Sequence, residues 1–199
     1  MRLFQAIVFV AATLASEPAN AHGLTPGPVG IYFAAEHILT EMPVPLALIA
    51  FGLLLGLNRH VAMTWAWLPL ILGIVVGMTG ILAWRLYIHP VLPLLLLTLI
   101  VALWAASGFR LPRSGAAILG VCIGYFLGVF IAPGPASWSM KAYAIIGGLT
   151  GVNLGVLSVF IIVALINGRW SYSWIAISFR IVASWLAAIV AMVAALSLQ

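Results

Sequence analysis

Long apolar runs follow one another along the chain, separated by short breaks that contain charged residues or proline. Six of these runs reach membrane-spanning length: residues 35–57, 61–84, 86–109, 114–132, 142–166 and 174–198. A helix needs about 20 apolar residues to cross the hydrocarbon core, so each run predicts one transmembrane helix. No ten-residue stretch alternates with period two, which disfavours a transmembrane barrel. The pattern therefore predicts an all-α integral membrane protein, a bundle of about six transmembrane helices.

The first 21 residues have a different pattern, which is typical of a secretory signal peptide. Arg2 precedes a short apolar stretch, residues 3–14, and Ala19-Asn20-Ala21 forms a small-x-small cleavage site. Cleavage there predicts a signal peptide at residues 1–21 and a single transmembrane domain at 22–199. His22 becomes the mature N-terminus, outside the cytoplasm. An uncleaved N-terminal anchor is the alternative interpretation.

Composition narrows the class of protein further. Of the 199 residues, 65% are hydrophobic and 6% are charged, whereas soluble domains are about half apolar and a quarter charged. The lipid bilayer is therefore the expected solvent. The net charge of +5 comes from single basic residues at the ends of apolar runs, so it does not indicate a nucleic-acid partner.

The positions of the basic residues predict the orientation. With the mature N-terminus outside, five arginines fall on the cytoplasmic side, and Arg85 and Lys141 fall outside. The five are Arg59, Arg110, Arg113, Arg169 and Arg180. This excess agrees with the positive-inside rule. We expect a multi-pass protein of a bacterial inner membrane with a periplasmic N-terminus.

Glycines recur at helical spacing in two of the runs. Gly120, Gly124 and Gly128 lie four residues apart, as do Gly151 and Gly155. Small residues at this spacing let two helix backbones approach closely in lipid. We expect contacts within one chain, with the seam of a homo-oligomer as the alternative.

Ionisable residues inside or beside a membrane are candidate functional sites. Glu36 and Glu41 are the two carboxylates that follow the signal peptide, and His37 lies four residues before Glu41, on the same helical face. The predicted topology adds His22 and His89 on the same outer side. Imidazole and carboxylate suit nickel, zinc or copper(II). The sequence predicts a metal site at His37 and Glu41, helped by His22, His89 and Glu36, although charges at a water interface would give the same pattern.

Other polar features point to no further chemistry. Asn153, with Thr150 one turn before it, lies within an apolar run, where it can hydrogen-bond a neighbouring helix or line a polar path. The chain has no glycine-rich phosphate loop, so no nucleotide is expected. It has neither a GxSxG nor an HExxH motif, so no enzyme is expected.

Several segments resemble the HupE/UreJ family of small membrane proteins associated with nickel supply to hydrogenase and urease. The segments are Ala21-His22-Gly23, GIYFAAEHILTEMPVPLALIAFGLLLG at residues 30–56, WLPLILGIVVGMTG at 67–80, Arg110-Leu111-Pro112, Asn153-Leu154-Gly155-Val156 and RIVASWLAAIVAMVAAL at 180–196. The resemblance implies a signal peptide, a transmembrane bundle and movement of nickel. His37 matches the first histidine of the family motif, and the Asp-His pair that follows in the family falls at Pro43 and Val44.

These observations lead to hypotheses of different classes. The first is a permease or metal-handling accessory protein whose substrate is a divalent transition metal, with nickel ahead of copper and zinc. The second is a non-transporting structural or assembly subunit that binds a metalloenzyme or another membrane-complex partner. A third is a haem- or quinone-binding subunit with His37 and His89 as axial ligands.

Overall fold

The computed structural model describes residues 27–84, 89–134, 137–170 and 172–198. The predicted signal peptide, His22 and Arg85 lie outside these ranges. Within the described residues all regular structure is helical. The helices are α1 Pro28–Thr40, α2 Val44–Leu57, α3 Arg59–Ala62, α4 Leu68–Trp84, α5 Val91–Ser107, α6 Arg113–Ile131, α7 Trp138–Arg169 and α8 Ser173–Leu196, with a π-helical turn, Met63–Trp67, between α3 and α4.

Three of the described helices, α6, α7 and α8, are long and apolar enough to cross a membrane. The α1–α2 pair passes the same test as one span bent by 78°. The predicted all-α class is therefore confirmed and the apolar helices are compatible with a membrane protein, but the described residues provide three or four candidate spans instead of six. The number of candidate spans is lower than predicted because α4 and α5 are each only 17 residues long. The π-helical turn interrupts the run that contains α4, and α5 begins only after Pro90.

Two prolines explain the bend between α1 and α2. Pro43 and Pro45 have no N–H group, so the carbonyls of Leu39 and Glu41 lose the donor four residues ahead that would continue the helix. The chain turns instead, and the N–H of Val44 donates to the carbonyl of Glu41 at 2.9 Å. The first helix also begins at Pro28, seven residues before the predicted start.

Glycines hold α4 and α6 together at backbone contact. Gly120 lies against Ala66, Gly124 against Leu70 and Gly128 against Ile74. An added Cβ on Gly120 would lie only 2.7 Å from the Ala66 carbonyl oxygen. Residue numbers rise together along both helices, so α4 and α6 run in the same direction. The predicted glycine packing within one chain is confirmed here.

The second glycine face, on α7, receives α1 and then α2. Gly147 and Gly151 contact the α1 backbone at Ile31 and Ala35, and Gly155 contacts Leu39 and Leu48. Residue numbers again rise together along the contacting helices, so α1 and α2 both run in the direction of α7.

The α5–α8 pair runs in opposite directions. Gly108 at the end of α5 contacts Arg180 near the start of α8. With the broad packing of α5 on α8, this contact makes the pair antiparallel.

The core of the bundle is centred on α2. Phe51, Leu54 and Leu55 on this helix are fully buried, and α2 packs against α5, α7 and α8. The outward faces of α7 and α8 carry large exposed apolar side chains such as Leu154, Leu165, Ile181 and Trp185. An apolar interior with an equally apolar exterior is typical of a helix bundle surrounded by lipid.

The ends of α2, α5 and α7 and the starts of α6 and α8 meet at one end of the bundle. There the N–H of Leu111 donates to Asn58 Oδ1 at 2.9 Å, and the Arg59 guanidinium lies beside Gly168. The Arg113 guanidinium lies 5.6 Å from the centre of the Trp65 ring. The five arginines that the topology assigned to one side therefore lie at the same end of the molecule.

Candidate functional site

His37 and Glu41 are in direct side-chain contact at the end of α1. His37 Nε2 lies 2.8 Å from Glu41 Oε2, and Glu41 caps the helix by donating its backbone N–H to the carbonyl of His37. The two side chains are 67% and 39% exposed. Helical spacing and the break at Pro43 therefore hold an imidazole and a carboxylate together on an outward-facing surface.

The pair lies deeper along the bundle than the sequence predicts. The apolar pattern predicts Glu36 and Glu41 at the outer start of the first helix, but α1 begins earlier and these residues lie near its end. Leu39 and Leu48, on either side of the break, both contact Gly155. Gly155 lies near the middle of the 32-residue α7 and of the apolar run at 142–166. A bilayer that covers this run therefore also surrounds the break.

The other predicted metal ligands are not gathered around the pair. Within the described ranges, no group of three or more histidine, cysteine, aspartate or glutamate side chains could hold a metal ion. Glu36 is exposed on α1, and His89 is exposed just before α5. His22 lies outside the described residues. A metal at this site would have two side-chain ligands here and would take the rest from water, backbone or the N-terminal segment.

The backbone at the break provides oxygen atoms of its own. Because Pro43 has no N–H, the carbonyl of Leu39 lacks its helical donor. Carbonyl oxygens freed at a helix break are common cation ligands in membrane proteins. An imidazole, a carboxylate and a carbonyl without its helical donor, all at one helix break, are ligand types that suit a borderline divalent cation.

Asn153 hydrogen-bonds a neighbouring helix, which is the first of the two roles predicted for it. Its Oδ1 accepts a hydrogen bond from Trp67 Nε1 at 3.1 Å, and its Nδ2 donates to the carbonyl of Leu149 at 2.7 Å. Thr150 is exposed and donates to the carbonyl of Ile146 in its own helix. The structure thus gives Asn153 a role in helix packing and does not bring Thr150 into that contact.

The polar groups at the arginine end of the bundle were not predicted from the sequence. Asn58 is only 6% exposed; it donates to the carbonyl of Leu54 at 3.0 Å and accepts from the N–H of Leu111. It lines a cavity of about 220 Å³ together with Arg110, Asn167 and Arg180. These residues are distant in sequence, and the arginines were assigned only a topological role, so no local motif could have indicated the cavity.

Comparisons with known proteins add no relatives. No protein-family model, no curated protein and no solved structure matches this chain. The resemblance to the HupE/UreJ family therefore stays a prediction.

Proposed function

We propose that this protein is a HupE/UreJ-like membrane protein that moves or handles a divalent transition metal, with His37 and Glu41 as its first binding groups. The observation that carries the proposal is the 2.8 Å contact between this imidazole and this carboxylate, held at a helix break beside the middle of α7. Nickel is the expected substrate because of the resemblance, with copper or zinc as alternatives of similar ligand preference.

A broken helix at membrane depth supports a transport role. Backbone groups without partners are costly in lipid, and ionisable side chains at that depth are rare outside functional sites. Discontinuous helices whose ends bind ions near the bilayer centre are a recurring device of transporters. The α1–α2 break combines an imidazole and a carboxylate with one carbonyl, that of Leu39, which lacks its helical donor.

We further propose that all six apolar segments cross the membrane, with the mature N-terminus in the periplasm and the arginine end in the cytoplasm. The directions of packing support this arrangement: α2 runs with α7, α4 runs with α6, and α5 runs against α8. If six segments cross the membrane in alternating directions, these three helix pairs have the same parallel and antiparallel directions. At 17 residues, α4 and α5 reach the lower limit for a span.

Metal uptake by cells tests the proposal. Cells that produce the wild-type protein should accumulate more nickel than cells without it, and a His37→Ala, Glu41→Ala variant should lose that increment. His60→Ala is the matched control, because His60 is an exposed histidine at the opposite end of the bundle. Equal accumulation by wild type and the double variant, at equal protein levels, would contradict a transport role for the pair.

A second function is favoured by the exposure of the pair. An outward-facing His37, 67% exposed at the depth of the membrane, is costly against lipid and is better covered by another protein. A structural or assembly subunit that binds a metalloenzyme or membrane-complex partner would provide that cover. Under this hypothesis a stoichiometric partner co-purifies with wild type and is lost from the double variant, while nickel uptake is the same in both.

A further inference from the structure

The cavity at the arginine end has the composition of an anion site. Its volume of about 220 Å³ far exceeds the space that one water molecule needs. Its polar lining residues are Arg110, Arg180, Asn58 and Asn167, and the Arg180 guanidinium lies beside Gly108 in the same lining. The remaining lining is Leu57, Ala105, Gly108, Phe109 and Ala176. The lining therefore includes two residues that carry a full positive charge.

No carboxylate neutralises these arginines within the described part of the chain. The sequence has three acidic residues, Glu17, Glu36 and Glu41. Of the two that the structure describes, Glu41 pairs with His37, and both lie in the region of the α1–α2 break. Asn167, which marks the level of the cavity, follows Gly155 on α7 by twelve residues, about 18 Å along the helix axis. Within the described residues, neither Arg110 nor Arg180 therefore has a carboxylate partner.

Gly108 positions one of the two guanidinium groups. Its φ of 71° is in the left-handed region, where glycine ends α5. An added Cβ at this position would lie 2.5 Å from Arg180 Nε and 2.6 Å from Nη1. The guanidinium therefore rests directly on the glycine backbone, in a place that a larger residue would fill. The cavity wall is built from the turn after α5 and the second turn of α8.

From this geometry we infer that the cavity binds a phosphate group. Guanidinium groups match phosphate oxygens with paired, charge-assisted hydrogen bonds, and Asn167 adds an amide to the same lining. Basic pockets between transmembrane helices bind the head groups of anionic lipids. The phosphate comes either from a phospholipid head group at the membrane surface or from a free phosphate compound in the aqueous phase. This site lies at the opposite end of the bundle from Lys141 and is separate from the His37–Glu41 pair.

Binding to the purified, delipidated full chain tests the inference in two arms. The first arm adds phosphatidylglycerol or phosphatidylcholine in detergent and counts retained lipid by native mass spectrometry. The second arm titrates inorganic phosphate without lipid and follows binding by ³¹P magnetic resonance. Each arm compares wild type with Arg180→Gln and with Arg169→Gln. Arg169 is an exposed arginine at the same end that does not line the cavity. Each variant loses one positive charge, so Arg169→Gln controls for the change in net charge.

We expect Arg180→Gln to weaken binding roughly ten- to a hundredfold, because a charged hydrogen-bond donor is lost, and Arg169→Gln to bind like wild type. Selective retention of phosphatidylglycerol over phosphatidylcholine identifies a lipid source. Saturable binding of inorganic phosphate identifies a soluble source. Equal losses in both variants, an unchanged Arg180→Gln protein, or no binding in either arm would each overturn the inference. Helical circular dichroism and the thermal midpoint verify that each variant is folded.

Discussion

At the scale of single residues, hydrogen bonds inside the bundle connect segments that are far apart in sequence. Trp67 Nε1 donates to Asn153 Oδ1 across 3.1 Å, from the π-helical turn to α7. Asn58 makes a similar connection to the N–H of Leu111. In lipid the unbonded groups of Trp67 and Asn153 would have no water to replace these partners. Both asparagines therefore fix how neighbouring helices meet.

The Trp67–Asn153 hydrogen bond should give a measurable coupling energy. We expect a double-mutant cycle with Trp67→Phe and Asn153→Leu to give about 0.6 kcal/mol, and at most about 1.7 kcal/mol, the range found for such bonds between membrane helices. The measurement is thermal or denaturant unfolding in detergent micelles. A cycle with Trp65→Phe is the control, because Trp65 is exposed and contacts Arg113. Coupling no larger than in the control would refute the contact.

At the scale of helices, close packing depends on which glycines face another backbone. Gly124 faces α4: an added Cβ would meet the Leu70 carbonyl oxygen and lie 3.0 Å from the Ile74 nitrogen. Gly80, also helical, has open space in the direction of its absent Cβ. The sequence alone does not distinguish these two glycines, although their expected responses to substitution are opposite.

Replacing each of these glycines by alanine should separate the effect of helix packing on the free energy of unfolding from the effect of helix propensity. Gly124→Ala should destabilise the protein by about 1–3 kcal/mol, because α4 and α6 must move apart. Gly80→Ala should be neutral or stabilise by up to about 1 kcal/mol, since alanine favours the helix and has room. Unfolding in detergent measures both. A Gly124→Ala protein as stable as wild type would mean that the two helices are not in backbone contact.

At the scale of the whole molecule, α7 is about 48 Å long and exceeds the hydrocarbon core of about 30 Å. It connects the arginine end of the bundle to the end where Lys141 lies. α2, α4, α5, α6 and α8 pack along it or along one another between these two ends. This arrangement defines two faces of the membrane and makes the orientation testable.

Cysteine labelling tests this orientation. Cys122 is the single cysteine, so a Cys122→Ala background allows one new cysteine at a time. Ser137→Cys and Ser173→Cys flank α7, and both positions are exposed. We expect a membrane-impermeant maleimide to label Ser137→Cys in intact cells whose outer membrane is permeabilised, and Ser173→Cys only after lysis. The reverse pattern would refute the orientation, and labelling of both in intact cells would refute a crossing by α7.

Much of the fold follows from the sequence, because apolar length and glycine spacing are local signals. The helices at 114–132 and 142–166 and the glycine contacts on both were predicted. The depth of His37 and Glu41 was not, because it depends on where α1 begins and on Gly155, which is distant in sequence. The cavity around Arg180 also depends on four chain segments meeting. No periodic pattern encodes such a meeting, so these features required the three-dimensional structure.

The central claim, that His37 and Glu41 bind a divalent metal, is tested most directly by nickel titration of the purified protein. Calorimetry together with elemental analysis gives the stoichiometry for wild type, for the His37→Ala, Glu41→Ala variant and for His60→Ala. We expect one nickel ion per chain in wild type and His60→Ala, and binding at least tenfold weaker in the double variant, because both side-chain ligands of the pair are lost. Equal binding by all three proteins, or none by the wild type with nickel in excess, would contradict the claim.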